Sequence, residues 1–248
     1  MDLSKNRQKN SLPRRKGVMN MENTAIPREA LWDVLRARHS VRRYTGRPIE
    51  PEKAAALQAE IDAIGRETGL DFRLVLDDPN VFRADRPHYG SFSGCRNFIV
   101  LYGPKGADEQ VGYHGERLVL LAQYLGLNTC WCALTFEKTA IPVKPAEGHV
   151  LHDVVALGYG ETQGVPHRSK PVTKLAPISP ATPQWFERGM DAAMLAPTAI
   201  NQQRFFIEQV GDRGARAKAL IGPCSKTDLG IVKYHFELGA GRENFEWV

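Results

Sequence analysis

The stretch R-H-S-V-R-R-Y at residues 38–44 places four side chains that can carry positive charge, and a serine hydroxyl, within seven positions. An apolar stripe at helical spacing precedes it over residues 31–35, and Gly46 follows it, so these groups are predicted at the end of a helix. Arg168 and Lys170 supply two further cations. Guanidinium groups form paired, charge-assisted hydrogen bonds with phosphate oxygens, which makes the stretch a candidate anion site.

Hydrophobic periodicity predicts alternating helices and strands beyond this stretch. Pro51 opens a second helix, and a helix over Val111–Leu125 carries apolar residues around most of its circumference, which is typical of burial on nearly all sides. The apolar run Val154–Tyr159 predicts a strand inside a sheet. The other predicted elements are strands at 72–76, 98–102, 130–134 and 205–210 and helices at 185–195 and 229–240. This order predicts an α+β fold, with a mixed sheet flanked by helices.

A proline-rich connector, residues 166–183, divides the chain, and the order helix, strand, helix appears again after it. We interpret this repetition as a degenerate internal duplication. Residues 25–165 then form a first half, and residues 184–248 form a second, shorter half.

The composition excludes several classes of protein. The 248 residues are 42% apolar and 25% charged, a globular mixture, and no apolar run approaches the length of a membrane-spanning helix. The net charge of +5 comes from a basic segment, residues 1–24, which is predicted to be a disordered tail; without its first 20 residues basic and acidic residues balance. We therefore expect a cytoplasmic protein that binds neither nucleic acid nor membranes.

The sequence predicts no metal site and no disulfide framework. His149 and His152 are three residues apart on a predicted strand, a spacing that sends their side chains to opposite faces. Four cysteines are too few to form a stabilising disulfide framework in a chain of this length. The C-x-C spacing of Cys130 and Cys132 supports neither a zinc site nor a redox dithiol.

Two glycine-rich motifs suggest other chemistry. G-S-F-S-G at residues 90–94 matches the nucleophile elbow, which needs a strand before the serine and a helix after it. A strand follows here instead, so a serine hydrolase acting through Ser93 is a weaker alternative. G-Y-G-E-T-Q-G at residues 158–164 follows a strand, but Pro166 prevents the helix that a dinucleotide site requires.

Five motifs, taken in order, resemble those of the FMN-dependent nitroreductase family. The resemblance extends from about Leu31 to Val210. The motifs are R-H-S-V-R-R-Y (38–44), L-G-L-N-T-C-W (125–131), A-L-G-Y-G (156–160), R-S-K-P (168–171) and A-P-T-A-I-N-Q-Q (196–203). The last of them is similar to the family's A-P-S-x-x-N-x-Q-P-W segment.

The chain departs from the family in the position of that last segment. In ordinary members it follows the arginine motif within about one helix, whereas here residues 65–70, G-R-E-T-G-L, occupy that place. Members are usually homodimers with the flavin at the interface, one subunit giving the arginine motif and the other the A-P-S segment. The resemblance therefore implies the tandem branch of the family: a monomeric, single-chain pseudo-dimer with one FMN.

The resemblance also implies roles for particular residues. Arg42 falls near flavin N1 and the C2 carbonyl, where a cation stabilises the negative charge of the reduced ring. Residues 131–134 pass the ring near N5, residues 197–199 and Asn201 cover it from the second half, and His39 gives backbone contacts. The phosphate and ribityl end is assigned to Arg38, Ser40, Arg168 and Lys170. The implied cofactor-binding residues are thus Arg38, His39, Ser40, Arg42, Trp131, Cys132, Ala133, Leu134, Arg168, Lys170, Pro197, Thr198, Ala199 and Asn201.

The activity implied is that of an NAD(P)H-dependent oxidoreductase. FMN accepts hydride from NAD(P)H, the nicotinamide leaves, and a nitroaromatic, quinone or similar small acceptor binds in the same pocket, a ping-pong scheme. No protein side chain is required as acid or nucleophile. The alternative from another class is a flavin-binding protein with little turnover, serving storage or sensing.

Overall fold

The described part of the chain contains five α-helices and seven β-strands. The computed structural model describes residues 26–82 and 91–248, so the predicted basic tail, residues 1–24, lies outside the described residues. The helices are α1 (Leu31–Ala37), α2 (Pro51–Thr68), α3 (Asp108–Tyr124), α4 (Gln184–Ala193) and α5 (Ser225–Ala240). The strands are β1 (Asp71–Val75), β2 (Asn97–Pro104), β3 (Asn128–Cys132), β4 (His149–Gly158), β5 (Phe205–Val210), β6 (Gly214–Ala219) and β7 (Glu246–Trp247).

The first sheet has the strand order β1-β2-β4-β3, and all its neighbours are antiparallel. Its two central strands are apolar on both faces, since helices or loops cover each face, and the prediction that Val154–Tyr159 lies inside a sheet is confirmed by residues 154–158 of β4. In the register of β3 with β4, Trp131 faces Val155 and Cys132 faces Val154. This register fixes which side chains reach each face.

The second sheet has the order β5-β6-β7, with β5 and β6 antiparallel and β6 and β7 parallel. The strand β6 was not predicted. Its sequence, G-A-R-A-K-A, lacks the branched and aromatic residues that mark strands, so hydrophobic pattern could not reveal it. It forms because a turn at residues 211–213, with Gly211 at φ 61°, folds it back onto β5.

Helices α3 and α5 pack closely between the two sheets, as the apolar circumference of the third predicted helix indicated. Glycines permit the approach: a Cβ on Gly112 would lie 2.0 Å from the Thr227 carbonyl oxygen, and one on Gly230 would lie 1.9 Å from that of Glu109. The start of α5 is thereby placed against the first turns of α3.

The predicted α+β class is confirmed. Each part of the chain contains a helix, an antiparallel strand pair, a second helix and a further strand, first as α2-β1-β2-α3-β3 and then as α4-β5-β6-α5-β7. This order is what the duplication predicts; the duplication itself and its boundaries at 25–165, 166–183 and 184–248 stay predictions. Within the described ranges, no helix combines the length and apolarity needed to cross a bilayer.

Candidate active site

A cleft lies where the end of the first sheet meets the start of α5, and residues from both predicted halves line it. The chain after α1 contributes Ser40 and Arg42, and the end of β3 contributes Trp131 and Ala133. The other lining residues are Asp153, Pro197, Thr198, Ala199, Ile200, Cys224, Thr227, Asp228 and Ile231. The structure therefore brings together the arginine motif, the end of β3 and the 196–203 segment, which are far apart in sequence.

The arginine motif is extended beyond α1, so its side chains alternate between the core and the cleft. Val41 donates its backbone N–H to the Thr129 carbonyl at 3.0 Å and buries its side chain, while Ser40 and Arg42 are exposed and line the cleft. His39 is half-buried, and burial together with the Arg38 cation lowers its pKa. Among the described residues, no ion pair engages Arg42, which leaves its guanidinium available to an anionic ligand.

Arg38 lies below the cleft, not in its lining. Its side chain is 4% exposed, and its Nε lies 4.0 Å from Oε1 of Glu116. Burial lowers the pKa of Arg38, and the Glu116 carboxylate partly offsets that effect. Nε is buried without a hydrogen-bond partner in the described structure. Arg38 was predicted to contact the FMN phosphate, but its side chain is almost wholly buried.

The end of β3 presents alternate residues to the cleft. Trp131 faces it and donates its indole N–H to Glu116 Oε2 at 2.8 Å. Cys130 and Cys132 are buried on the opposite face, in the apolar cluster that contains Val154. Cys132 could therefore reach a ligand in the cleft only through its backbone. Leu134, the last predicted residue here, is 85% exposed and stands outside the lining.

The 196–203 segment holds a strained backbone. Ile200, Asn201 and Gln203 have φ angles of 47°, 53° and 44°, in the left-handed region that residues other than glycine rarely adopt. For Ile200, a β-branched residue that is 70% exposed and lines the cleft, this conformation is especially unfavourable. Such strain persists only where the surroundings enforce it.

Hydrogen bonds from the connector enforce this conformation. Lys170 Nζ donates to the carbonyls of Gln202 and Gln203, at 2.6 and 3.1 Å. The Arg168 carbonyl accepts from Asn201 Nδ2 at 2.8 Å and from Gln203 Nε2 at 2.9 Å. Asn201 Oδ1 also accepts from Gln203, so both polar atoms of the Asn201 carboxamide are engaged, one with the connector and one within the segment. The Arg168 side chain is exposed.

Two carboxyl groups in the cleft were missed by the sequence analysis. Asp228, in the first turn of α5, accepts the Ala199 N–H at 2.9 Å and Gln202 Nε2 at 2.7 Å. Burial raises the pKa of Asp228 to about 6. Asp153 is 5% exposed, and burial together with the carboxylates of Asp228 and Asp108 raises its pKa to about 8. The signal for Asp153 was an acidic residue directly before the apolar run at residues 154–157 of a central strand.

A second cavity, of about 610 Å³, lies elsewhere, among α1, α2 and the later turns of α3 and α5. Its charged lining residues pair with one another: Arg117 lies 2.6 Å from Glu60, and Arg242 lies 3.1 Å from Glu237. None of the predicted cofactor-binding residues lines it. The smaller cleft, which encloses about 100 Å³, is therefore the candidate site.

Comparison with known proteins agrees with this architecture. A solved structure from Thermotoga maritima MSB8, described as a "putative nitroreductase", matches with a TM-score of 0.63 and 20% identity over 92% of this chain and 90% of the other. A "Putative NADH dehydrogenase/NAD(P)H nitroreductase" from Bacteroides thetaiotaomicron VPI-5482 gives a TM-score of 0.46 and 21% identity over 59% and 95%. A "putative nitroreductase in complex with FMN" from Desulfovibrio desulfuricans gives 0.45 and 23% over 58% and 93%.

None of the curated proteins matches the chain. The first of the three structures shows that the fold is nitroreductase-like over nearly the whole length of both chains. A family model described as "Putative TM nitroreductase" matches residues 30–240, which include both the arginine motif and the 196–203 segment. The chain therefore belongs to this nitroreductase family.

Proposed function

We propose that the protein is an FMN-dependent oxidoreductase of the nitroreductase type, which takes hydride from NAD(P)H and passes electrons to a nitroaromatic, quinone or similar small acceptor by a ping-pong mechanism. One observation carries this proposal. A single cleft is lined by Ser40 and Arg42 of the arginine motif, by the end of β3, and by residues 197–200 from beyond the connector. These are three of the four parts that the family resemblance assigns to one flavin; the fourth, Arg168 and Lys170 of the connector, lies outside the lining.

The residues of the cleft fit FMN in chemical type. Arg42 and Ser40 are exposed at its mouth, where they offer a cation and a hydroxyl to anionic and polar groups. Pro197, Ile200 and Trp131 give apolar surface that suits a flat ring. The enclosed volume is about 100 Å³, so part of the cofactor would lie in the open mouth.

When bound, FMN supplies the acceptance and release of hydride at its ring. Arg42 would stabilise negative charge on the ring's pyrimidine edge. Trp131 and Ala133 would border the ring from β3, and Pro197, Thr198 and Ala199 would cover it. The exposed side chain of Arg168 would hold the phosphate with Ser40, and Cys132 and Leu134 would contribute through the backbone that continues β3.

The remaining predicted residues would act by building the site. Lys170 and Asn201 maintain the strained segment through the hydrogen bonds described above. Arg38 would support the cleft wall through Glu116, the same carboxylate that accepts from Trp131. His39 joins the helix end to the extended motif. We propose one FMN per chain, with the chain acting as a monomeric pseudo-dimer.

Two alternatives predict different results. A storage or sensing protein would bind FMN in the same cleft without rapid reduction. A hydrolase acting through Ser93 would bind none; Ser93 lies in an extended segment that leads into β2, without the following helix that a nucleophile elbow needs.

The test is anaerobic stopped-flow spectroscopy of the purified full chain loaded with FMN. We expect a bound-flavin spectrum at a ratio near one per chain, and rapid bleaching of that spectrum by NADH or NADPH. Bound flavin that pyridine nucleotide does not bleach would support the storage alternative, and a ratio near two would contradict the single site. Arg42→Ala should weaken FMN binding about tenfold or more, because a charge-assisted hydrogen bond is lost. Arg66→Ala, an exposed arginine on α2, is the matched control.

A further inference from the structure

Asp153 is a buried acid on the cleft face of the first sheet. Val155, two residues later on the same face of β4, lies opposite Trp131 in the register with β3. Continuing that register by two positions along each strand sets Asp153 opposite Ala133, and both residues line the cleft. Asp153 is thus the cross-strand neighbour of the segment that would border the flavin ring.

Burial and two neighbouring carboxylates favour the uncharged form of Asp153. Asp228 of α5 and Asp108 of α3 oppose a further negative charge, whereas a hydrogen bond with the Thr227 side chain lowers the pKa of Asp153 and offsets part of this effect. The Cys224 thiol also interacts with this carboxyl group, and Arg42 lines the same cleft. The pKa of about 8 follows mainly from burial, so the carboxyl carries a proton at neutral pH.

We propose that Asp153 is the proton donor to acceptors that are reduced by hydride and a proton, such as quinones. This inference rests on the proposed function and goes beyond it, because FMN chemistry alone assigns no acid to the protein. In the step, the reduced cofactor is oxidised as the quinone takes its hydride. The carboxyl O–H bond of Asp153 breaks and an O–H bond forms at the acceptor oxygen. The carboxylate then regains a proton from solvent at the cleft mouth.

Asp228 is less suited to this role. Its two oxygens are already engaged, one by the Ala199 N–H and the other by the Gln202 amide, so its carboxylate holds the strained segment in place. Its pKa of about 6 also leaves it mostly ionised at neutral pH. A donor must carry the proton before the acceptor arrives, and of this pair Asp153 meets that condition.

The first experiment uses the protein without any added cofactor. Infrared spectroscopy of the wild-type chain at neutral pH should show a protonated-carboxyl C=O band, which shifts in D₂O and disappears as the pH is raised through about 8. The Asp153→Asn variant should lack the band, while Asp191→Asn, an exposed acid on α4, should retain it. The same band in Asp153→Asn would overturn the proposal.

The second experiment separates proton transfer from electron transfer. In the FMN-loaded protein, Asp153→Asn should bleach with NAD(P)H at the wild-type rate but return its electrons to a quinone about 100-fold more slowly, the usual contribution of a positioned acid. Ferricyanide takes electrons without a proton, so its reduction should be unchanged. Asp191→Asn should behave as wild type with both acceptors.

The outcomes are distinguishable. An equal loss with quinone and ferricyanide would show a structural defect and overturn the proposal, as would an unchanged quinone rate. In the wild type the quinone rate should fall above pH of about 8, and this dependence should vanish in Asp153→Asn. If the wild type binds no flavin, or if NAD(P)H leaves its flavin oxidised, the proposed function itself fails and this inference falls with it.

Discussion

Oε1 of Glu116 lies 2.8 Å from Nε2 of His235, and both side chains are fully buried where α3 packs on α5. The other ring nitrogen of His235 faces the Ala192 carbonyl at 3.1 Å. Both ring nitrogens of His235 therefore have an oxygen within hydrogen-bond distance. Glu116 also accepts from Trp131 in the cleft wall, so this buried pair connects the site to the packing of the two central helices.

Removing the His235 side chain should therefore destabilise the folded protein. His235→Leu removes the hydrogen-bond partner of Glu116 Oε1 at 2.8 Å and leaves that buried oxygen unsatisfied, so we expect a loss of about 1–3 kcal/mol in the free energy of unfolding. Urea denaturation measures this. His149→Leu, at the partly exposed start of β4, should cost about 1 kcal/mol or less. Equal losses of stability in the two variants would show that the contact between Glu116 and His235 makes no special contribution to the free energy of unfolding.

The close packing of α3 and α5 gives a second prediction. A Cβ on Gly230 would lie 1.9 Å from the Glu109 carbonyl oxygen, so Gly230→Ala forces the helices apart and should destabilise the protein by about 1–3 kcal/mol or more. Gly65, inside α2, has its nearest neighbour at 3.4 Å. Gly65→Ala should instead stabilise by about 0.5–1 kcal/mol through helix propensity. Thermal unfolding of both variants checks the contrast.

The strained segment beside the cleft gives a third prediction, again on stability. Ile200 holds a left-handed backbone at φ 47°, which costs a β-branched residue about 1–2 kcal/mol. Because the side chain is largely exposed, Ile200→Gly should raise the free energy of unfolding by about 1 kcal/mol, measured by urea denaturation. Ile221→Gly, at an exposed position without positive φ, should lower it slightly. If both variants lose stability, the backbone at Ile200 carries no strain that glycine can relieve.

The sequence predicted most helices and strands because their apolar periodicity is strong, and the order of short motifs indicated which segments meet. It could not show that β6 exists, since G-A-R-A-K-A has no strand pattern, nor that Arg38 turns inward to Glu116. Burial of a cation depends on a partner that lies 78 positions away, which local pattern does not encode.

The chemistry of the cleft was only partly predictable for the same reason. Asp153 has a raised pKa because the packing of α3 and α5 against β4 buries it and brings the carboxylates of Asp228 and Asp108 close to it. The strain at Ile200 likewise depends on bonds from Lys170 to the backbone of the next residues. Both properties arise from contacts between distant segments. A single sequence therefore identifies the residues but does not reveal the pKa of Asp153 or the backbone strain at Ile200.

Asp153 gives a fourth prediction, on pH and stability. Its folded pKa of about 8 lies above the ordinary carboxyl value of 3.8, so the unfolded chain releases the proton first as the pH rises. Stability should fall by about 1.4 kcal/mol per pH unit between the two values from this group alone. Asp153→Asn should match the wild type near pH of about 4 and exceed its stability increasingly toward pH of about 8. Urea denaturation across this range checks the slope; parallel curves for the two proteins would exclude a raised pKa.

The last prediction concerns Arg42 and the flavin. Two-electron reduction places negative charge on the pyrimidine edge, and an exposed guanidinium in the cleft would stabilise it. Losing a hydrogen bond to a charged group, about 1.5–3 kcal/mol, corresponds to about 30–60 mV for two electrons. The midpoint potential of FMN-loaded Arg42→Ala should therefore fall by that amount. Arg42→Lys should recover most of it by restoring the charge, and Arg66→Ala should not change it. A potential unchanged in loaded Arg42→Ala would place Arg42 away from the ring, leaving it a role at the phosphate alone.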